Sequence, residues 1–219
     1  MGAGDRDQRD GTAGVERIGC EPLPSYYPRM TQEHFAEHFR AHEKVIDASL
    51  RELEEVSNAA ADALIQCVRR GGKILCFGNG GSATQASHMV GELLGRYKET
   101  RRPLAAIALG SDPGSVTCIA NDFGYESLFE RQVEALAAPR DVAIGLTTSG
   151  RSENVLRGLE SAKKRGATTI ALCGAAGLAR AGADHVVCVP SDITAHIQEV
   201  HLMLLHVWCV AIDAALAEG

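Results

Sequence analysis

After Lys73 the chain alternates short apolar runs with longer helical segments, and this alternation constrains the fold more than any other feature. The runs at 73–77, 104–109, 141–147, 168–173 and 185–189 read as strands, and the segments 82–96, 113–120, 125–137, 152–165 and 196–217 read as helices. Strands that are apolar at nearly every position must be covered on both faces, which antiparallel hairpins rarely achieve. Intervening helices supply that cover. The predicted class is α/β, a three-layer αβα sandwich around a central parallel five-stranded sheet. In such sheets ligands bind beyond the carboxyl ends of the strands. The turns after 73–77 and 141–147 are therefore where chemistry should be sought.

The remainder of the chain is organised differently. Residues 1–30 are polar and rich in Gly, Asp and Arg without periodicity, and read as a disordered tail. From Thr31 to Arg69 the pattern is helical, with Phe35, Phe39, His42, Val45, Ile46, Leu50 and Leu53 at three- and four-residue steps. Ser57-Asn58 is expected to divide two helices, and Gly71-Gly72 to end the second. This leader is expected to pack either between subunits or on its own domain. Residues 31–219 are read as one domain that includes it.

Several function classes are disfavoured. The net charge of −6 and the lack of a basic block argue against nucleic acid as a partner. Arg96, Lys98, Arg101 and Arg102 read as a solvated loop. Seven scattered cysteines without C-x-x-C argue against a disulfide framework and for a reducing compartment. The apolar stretch 202–217 is interrupted by His206 and Asp213 and is short for a membrane span. With no signal-peptide pattern at Met1, a cytoplasmic location and no membrane partner are expected.

The turn Gly78-Asn79-Gly80-Gly81-Ser82 joins the first strand to a helix bearing His88 and Glu92. Its backbone N–H groups and the positive end of the helix dipole form a natural anion seat. His88 and Glu92, four residues apart, share one helix face and can share a proton path or a metal. The turn Thr147-Thr148-Ser149-Gly150-Arg151-Ser152 offers hydroxyls and a second helix start, either a phosphate cradle or simple N-capping by Ser152. Neither turn is a Walker A or a G-x-G-x-x-G fingerprint. Asn121-Asp122 reads as an Asx turn or cap. The last helix carries Gln198, Glu199, His201 and His206, with His206 expected to be strongly buried and kept neutral. Gln198 and His206 are separated by about 12 Å of helix rise. A ligand shared by both needs long side-chain reach, an irregular helix start or two subunits.

Taken in order, Gly78–Ser82, His88-x-x-x-Glu92, Ala120–Tyr125, Thr148-Ser149-Gly150-x-Ser152 and Ile197-Gln198-Glu199-x-His201 with His206 resemble the sugar isomerase (SIS) family, and within it the phosphoheptose isomerases. The resemblance spans roughly residues 35–217 and implies a SIS-type fold. It also implies an aldose–ketose isomerase that converts sedoheptulose 7-phosphate to D-glycero-D-manno-heptose 7-phosphate for activated-heptose biosynthesis. A homotetramer with active sites between subunits is implied as well. So are phosphate contacts from Ser82, Thr147, Thr148, Ser149 and Ser152, and sugar contacts from Asn79, Gly80, Gly81, Asn121, Asp122, Glu92 and Gln198. Glu92 and His206 would carry the acid/base chemistry, and His88, Glu92, Gln198 and His206 would hold one zinc ion per subunit. The chain departs from the family pattern at Gln85, Arg151 and Ala195, where relatives carry Asp, Asn and Asp.

Overall fold

The computed structural model describes residues 32–180 and 182–217, so the expected tail at 1–30 lies outside the described residues. From Phe39 onward the described residues form one compact unit, which carries the whole sheet. Helices α1 (Gln32–Glu52) and α2 (Glu54–Arg69) precede β1 (Ile74–Gly78). Then come α3 (Gly81–Leu94), β2 (Ala106–Ala108), α4 (Pro113–Phe123), a 3₁₀ turn at Tyr125–Ser127 and α5 (Leu128–Leu136). β3 (Val142–Thr147), α6 (Glu153–Lys164), β4 (Thr168–Gly174), β5 (His185–Val189) and α7 (Thr194–Ala217) complete the chain. The five expected strands are all present, within a few residues of their expected bounds.

All strand pairs are parallel, in the order β2-β1-β3-β4-β5. Successive side chains alternate between two cores. Ile74, Cys76, Ile144 and Leu146 face α2, α3 and α7, while Leu75, Phe77 and Ala143 face α5 and α6. Every residue of β1 and β3 is buried, as a doubly covered sheet requires. Fully burying each Leu, Ile or Phe contributes about 1.5–3 kcal/mol.

The helix boundaries differ from expectation where tertiary partners intervene. The break between α1 and α2 falls at Leu53, not Ser57-Asn58. Ser57 is buried inside α2, where its carbonyl and hydroxyl both accept from the indole N–H of Trp208 at 3.1 Å. Asn121-Asp122 is not a turn or cap, because α4 continues through both and ends at Gly124, whose φ of +83° a helix cannot use. The expected helix 125–137 opens instead as a 3₁₀ turn. Helix α7 has 24 residues and is long and apolar enough to cross a membrane by length and composition, contrary to the shorter stretch read from sequence. Its buried residues, among them Leu204, Leu205, Trp208 and Ile212, join the core that includes α2 and α3.

Candidate active site

The strand order reverses between β1 and β3, since β1 leads to β2 on one side and to β3 on the other. Their carboxyl ends lie side by side, with Gly78 in register with Leu146, so the two suspected turns are neighbours. In the first, Gly80 adopts φ +54° and ψ −124°, a conformation that glycine tolerates and L side chains rarely adopt. Its carbonyl accepts from the N–H groups of Ala83 and Thr84, and Ser82 donates its N–H to Asn79. Ser82 itself is buried at the first turn of α3.

In the second turn, Thr147 is buried and donates its hydroxyl to Ser152 Oγ at 3.1 Å. Ser152 precedes α6 without a capping bond from its side chain, so simple N-capping does not account for it. Ser149 Oγ, on the exposed tip, accepts from the N–H of Arg151. Gly150 has φ +65°, and a Cβ there would stand 1.8 Å from the carbonyl oxygen of Gly177. The hydroxyl turn is thereby held against the loop after β4. Glu153 opens α6; bonds from Arg180 and then Arg157 hold its carboxyl down at about 2.

A cross-tie joins the first turn to α6. The amides of Asn79 and Asn154 bond each other reciprocally at 2.9 Å, and Tyr125 donates its hydroxyl to Asn79 Oδ1 at 2.9 Å. Asn154, buried and not singled out in the sequence, thus fixes the orientation of a residue that was.

The titratable groups converge between α3 and α7. Nε2 of His88 lies 2.9 Å from Nε2 of His206 and 3.4 Å from Glu92 Oε1. Tyr97 stacks on the His206 ring at 5.3 Å between centroids. His206 is half-exposed rather than strongly buried. His196 and His201 are the buried imidazoles of α7; His201 lies one turn and a half before His206, and burial pushes it down to about 4. His201 and His206 alternate because a helix packed on one side must send every third or fourth residue outward.

Arg101 is not part of a solvated loop. Its side chain is 7% exposed, bonds Asp213 at 2.6 Å, and donates to the carbonyls of Glu92 and Leu93. Burial alone would raise the Asp213 carboxyl, but Arg101 and the N–H groups of Lys98 and Glu99 outweigh it and hold the group below the usual range. A lone acid in an apolar helix was the available sequence signal; its partner could not be read from spacing.

Gln198 lies inside regular helix, so an irregular start does not resolve its distance from His206. Its amide instead abuts Gly81, 2.7–3.0 Å from where a Cβ would stand. Gln85 reaches across from α3 and donates to the Gln198 carbonyl at 2.5 Å. Asn121 and Asp122 sit on the exposed last turn of α4, where Asn121 donates to Asp122 at 2.6 Å. The structure thus brings His88, Glu92 and His206 into one cluster, and places Gln198 beside the first turn.

Ligand atoms of His88, Glu92 and His206 all lie within 4.8 Å of one another, a group that could hold a metal ion. Two imidazole nitrogens on a tetrahedral zinc stand about 3.4 Å apart, so the 2.9 Å pair needs to open by only about 0.5 Å. The donor set, two nitrogens and a carboxylate, fits that ion.

The sequence model of the SIS domain matches residues 37–174. The chain is 44% identical over 180 residues to a phosphoheptose isomerase of Helicobacter pylori (strain Shi470), covering 82% of this chain and 94% of the relative. It is 48% identical over 174 residues to that of Aquifex aeolicus (strain VF5), covering 79% and 89%. The chain belongs to the phosphoheptose isomerases of the SIS domain family. A solved phosphoheptose isomerase from Francisella tularensis superimposes with a TM-score of 0.80 at 35% identity, covering 84% of this chain and all of that one. The enzyme from Neisseria gonorrhoeae gives 0.76 at 38% identity, over 84% and 98%. The SIS fold seen in these phosphoheptose isomerases is the same parallel five-stranded architecture, flanked by helices on both faces.

Proposed function

We propose that the chain is an aldose–ketose isomerase that converts sedoheptulose 7-phosphate to D-glycero-D-manno-heptose 7-phosphate, in the biosynthesis of activated heptose. The observation that carries this reading is the His88–Glu92–His206 cluster between α3 and α7, in a fold whose β1 and β3 turns lie side by side at the reversal of strand order. The phosphate is held by Ser82, Thr147, Thr148, Ser149 and Ser152 together with the N–H groups at the starts of α3 and α6. Asn79, Gly80, Gly81, Asn121, Asp122 and Gln198 contact the sugar.

Isomerisation moves a proton between adjacent carbons through an enediol. Glu92 removes the carbon-bound proton, and His206 carries protons to and from the oxygens. Arg101, from the segment after α3, holds the Glu92 carbonyl at the end of that helix, and the Tyr97 face orients the His206 ring. His88, Glu92 and His206 would hold a zinc ion, with Gln198, which lies beside the first turn within one subunit, reaching the ion from a neighbouring subunit; when bound, the ion would supply polarisation of the substrate carbonyl. The active unit is a homotetramer with sites between subunits. This is supported by a groove of about 310 Å³ at Leu50, Leu53, Met203 and Val207, where Leu50 is 73% and Val207 52% exposed. Unpaired thiols at Cys67, Cys76, Cys118 and Cys209 support a reducing, cytoplasmic setting.

The test is incubation with sedoheptulose 7-phosphate, with NMR observation of aldoheptose phosphate, before and after chelation and zinc restoration. Turnover that is lost in both Glu92→Gln and His206→Ala, each folded, is the expected outcome. Binding without turnover by the parent would refute the enzymatic reading.

A further inference from the structure

Cys173 and Cys188 face each other on neighbouring strands. They are register partners in the parallel β4–β5 pair, and their sulfurs are 3.4 Å apart. Adjacent strands run about 4.8 Å apart, inside the Cα separation a disulfide spans. Closing the sulfurs to bonding distance of about 2.05 Å therefore needs roughly 1.3 Å of movement, without re-registering the sheet.

The two thiols differ in access. Cys173 is fully buried, whereas Cys188 is half-exposed on the edge strand. Burial, then the neighbouring Cys188, push the Cys173 thiol up, which leaves Cys188 to react first. Both connect to the hydroxyl turn. Gly174, the residue after Cys173, donates its N–H to the carbonyl of Thr148 at 3.2 Å. Cys188 Sγ lies 3.9 Å from the Cβ position of Gly177, whose carbonyl is wedged against Gly150. Ala179 in turn donates its N–H to the Gly150 carbonyl at 2.9 Å.

We propose that Cys173 and Cys188 form a reversible disulfide under hydroperoxides, and that the bond disturbs the phosphate turn behind which it sits. The Cys188 thiolate attacks the O–O bond of hydrogen peroxide, giving a sulfenic acid and hydroxide, which is protonated to water. The Cys173 sulfur then attacks the sulfenic sulfur; its proton leaves with the displaced hydroxide as a second water. Two thiols are oxidised to one disulfide while one peroxide is reduced to two waters. A dithiol reductant reverses the step by exchange. The effect on the turn rests on the isomerase reading; the formation of the bond does not.

The full-length protein is treated with hydrogen peroxide, its remaining thiols are blocked, and tryptic peptides are analysed by mass spectrometry. The expected product links peptide 166–180 to the C-terminal peptide, about 2 Da below the sum of the two. It should vanish on reduction and be absent in Cys188→Ser and in Cys173→Ala. Because Cys209 shares the C-terminal peptide, persistence of the link in Cys188→Ser overturns the assignment, as does its absence from the oxidised parent. In the isomerase assay, oxidation should raise KM several-fold with little change in kcat, and Cys188→Ser should resist. A cross-linked protein with unaltered KM overturns the coupling to the turn. An inactive reduced protein that still cross-links refutes the isomerase reading while sustaining the disulfide.

Discussion

Acidification should destabilise the protein through His201. This side chain is 0% exposed, and its Nε2–H donates to the Cys173 carbonyl at 3.3 Å between β4 and α7. Burial, only partly offset by that bond, pushes its pKa down from 6.5 to about 4. The unfolded chain therefore binds a proton at a higher pH than the folded one. The stability that the neutral ring contributes is complete above about pH 6.5 and is lost as pH falls towards 4. The difference between 6.5 and about 4 corresponds to about 3 kcal/mol in all, most of it lost by pH 4.5. Against a total stability of about 5–15 kcal/mol, that is a large fraction. Urea unfolding at pH 7.5 and 4.5, at one fixed protein concentration, measures it in the parent and in His201→Gln. The other titrating groups cancel in the comparison, so the variant should lose about 2–3 kcal/mol less than the parent over this interval. Parallel losses in the two proteins would refute the reasoning.

Four other outcomes are expected from the same geometry. Glu92→Gln should reduce kcat by about 10²–10⁴-fold or more with an unchanged circular dichroism spectrum, because the carboxylate that moves the proton is lost while the side-chain volume is kept. Ser82→Ala and Ser149→Ala should each weaken substrate binding by about 1–3 kcal/mol, read as a rise in KM or by calorimetry. Asp213→Asn should cost about 3–5 kcal/mol in urea unfolding, because it leaves the Arg101 guanidinium buried without its counter-charge. Gly150→Ala must combine an unfavourable φ with a 1.8 Å clash against Gly177, so a loss of at least about 1–3 kcal/mol in thermal or urea unfolding is expected. A fully stable Gly150→Ala protein would show that the two loops are not held together by this contact.

Much of this molecule was legible in order along the chain. The apolar runs from Lys73 onward determined a covered parallel sheet, because residues apolar on both faces of a strand have no other stable placement. The glycines and hydroxyls after β1 and β3 determined two turns that lead into helices, and the four-residue step from His88 to Glu92 determined their shared face. Those are local properties, set by backbone sterics and helical period. What the tertiary structure alone decided depends on partners remote in sequence. It turned Arg101 inward because Asp213, 112 residues away, offered a counter-charge. It kept Ser57 inside a helix because Trp208 supplies its hydrogen bond across the core. It buried His196 and His201 of α7 and left His206 half-exposed against His88 and Tyr97. Helix periodicity orders such residues around an axis, but the rotation of α7 against the sheet is set by the packing of both surfaces together, and so by contacts that no single segment contains.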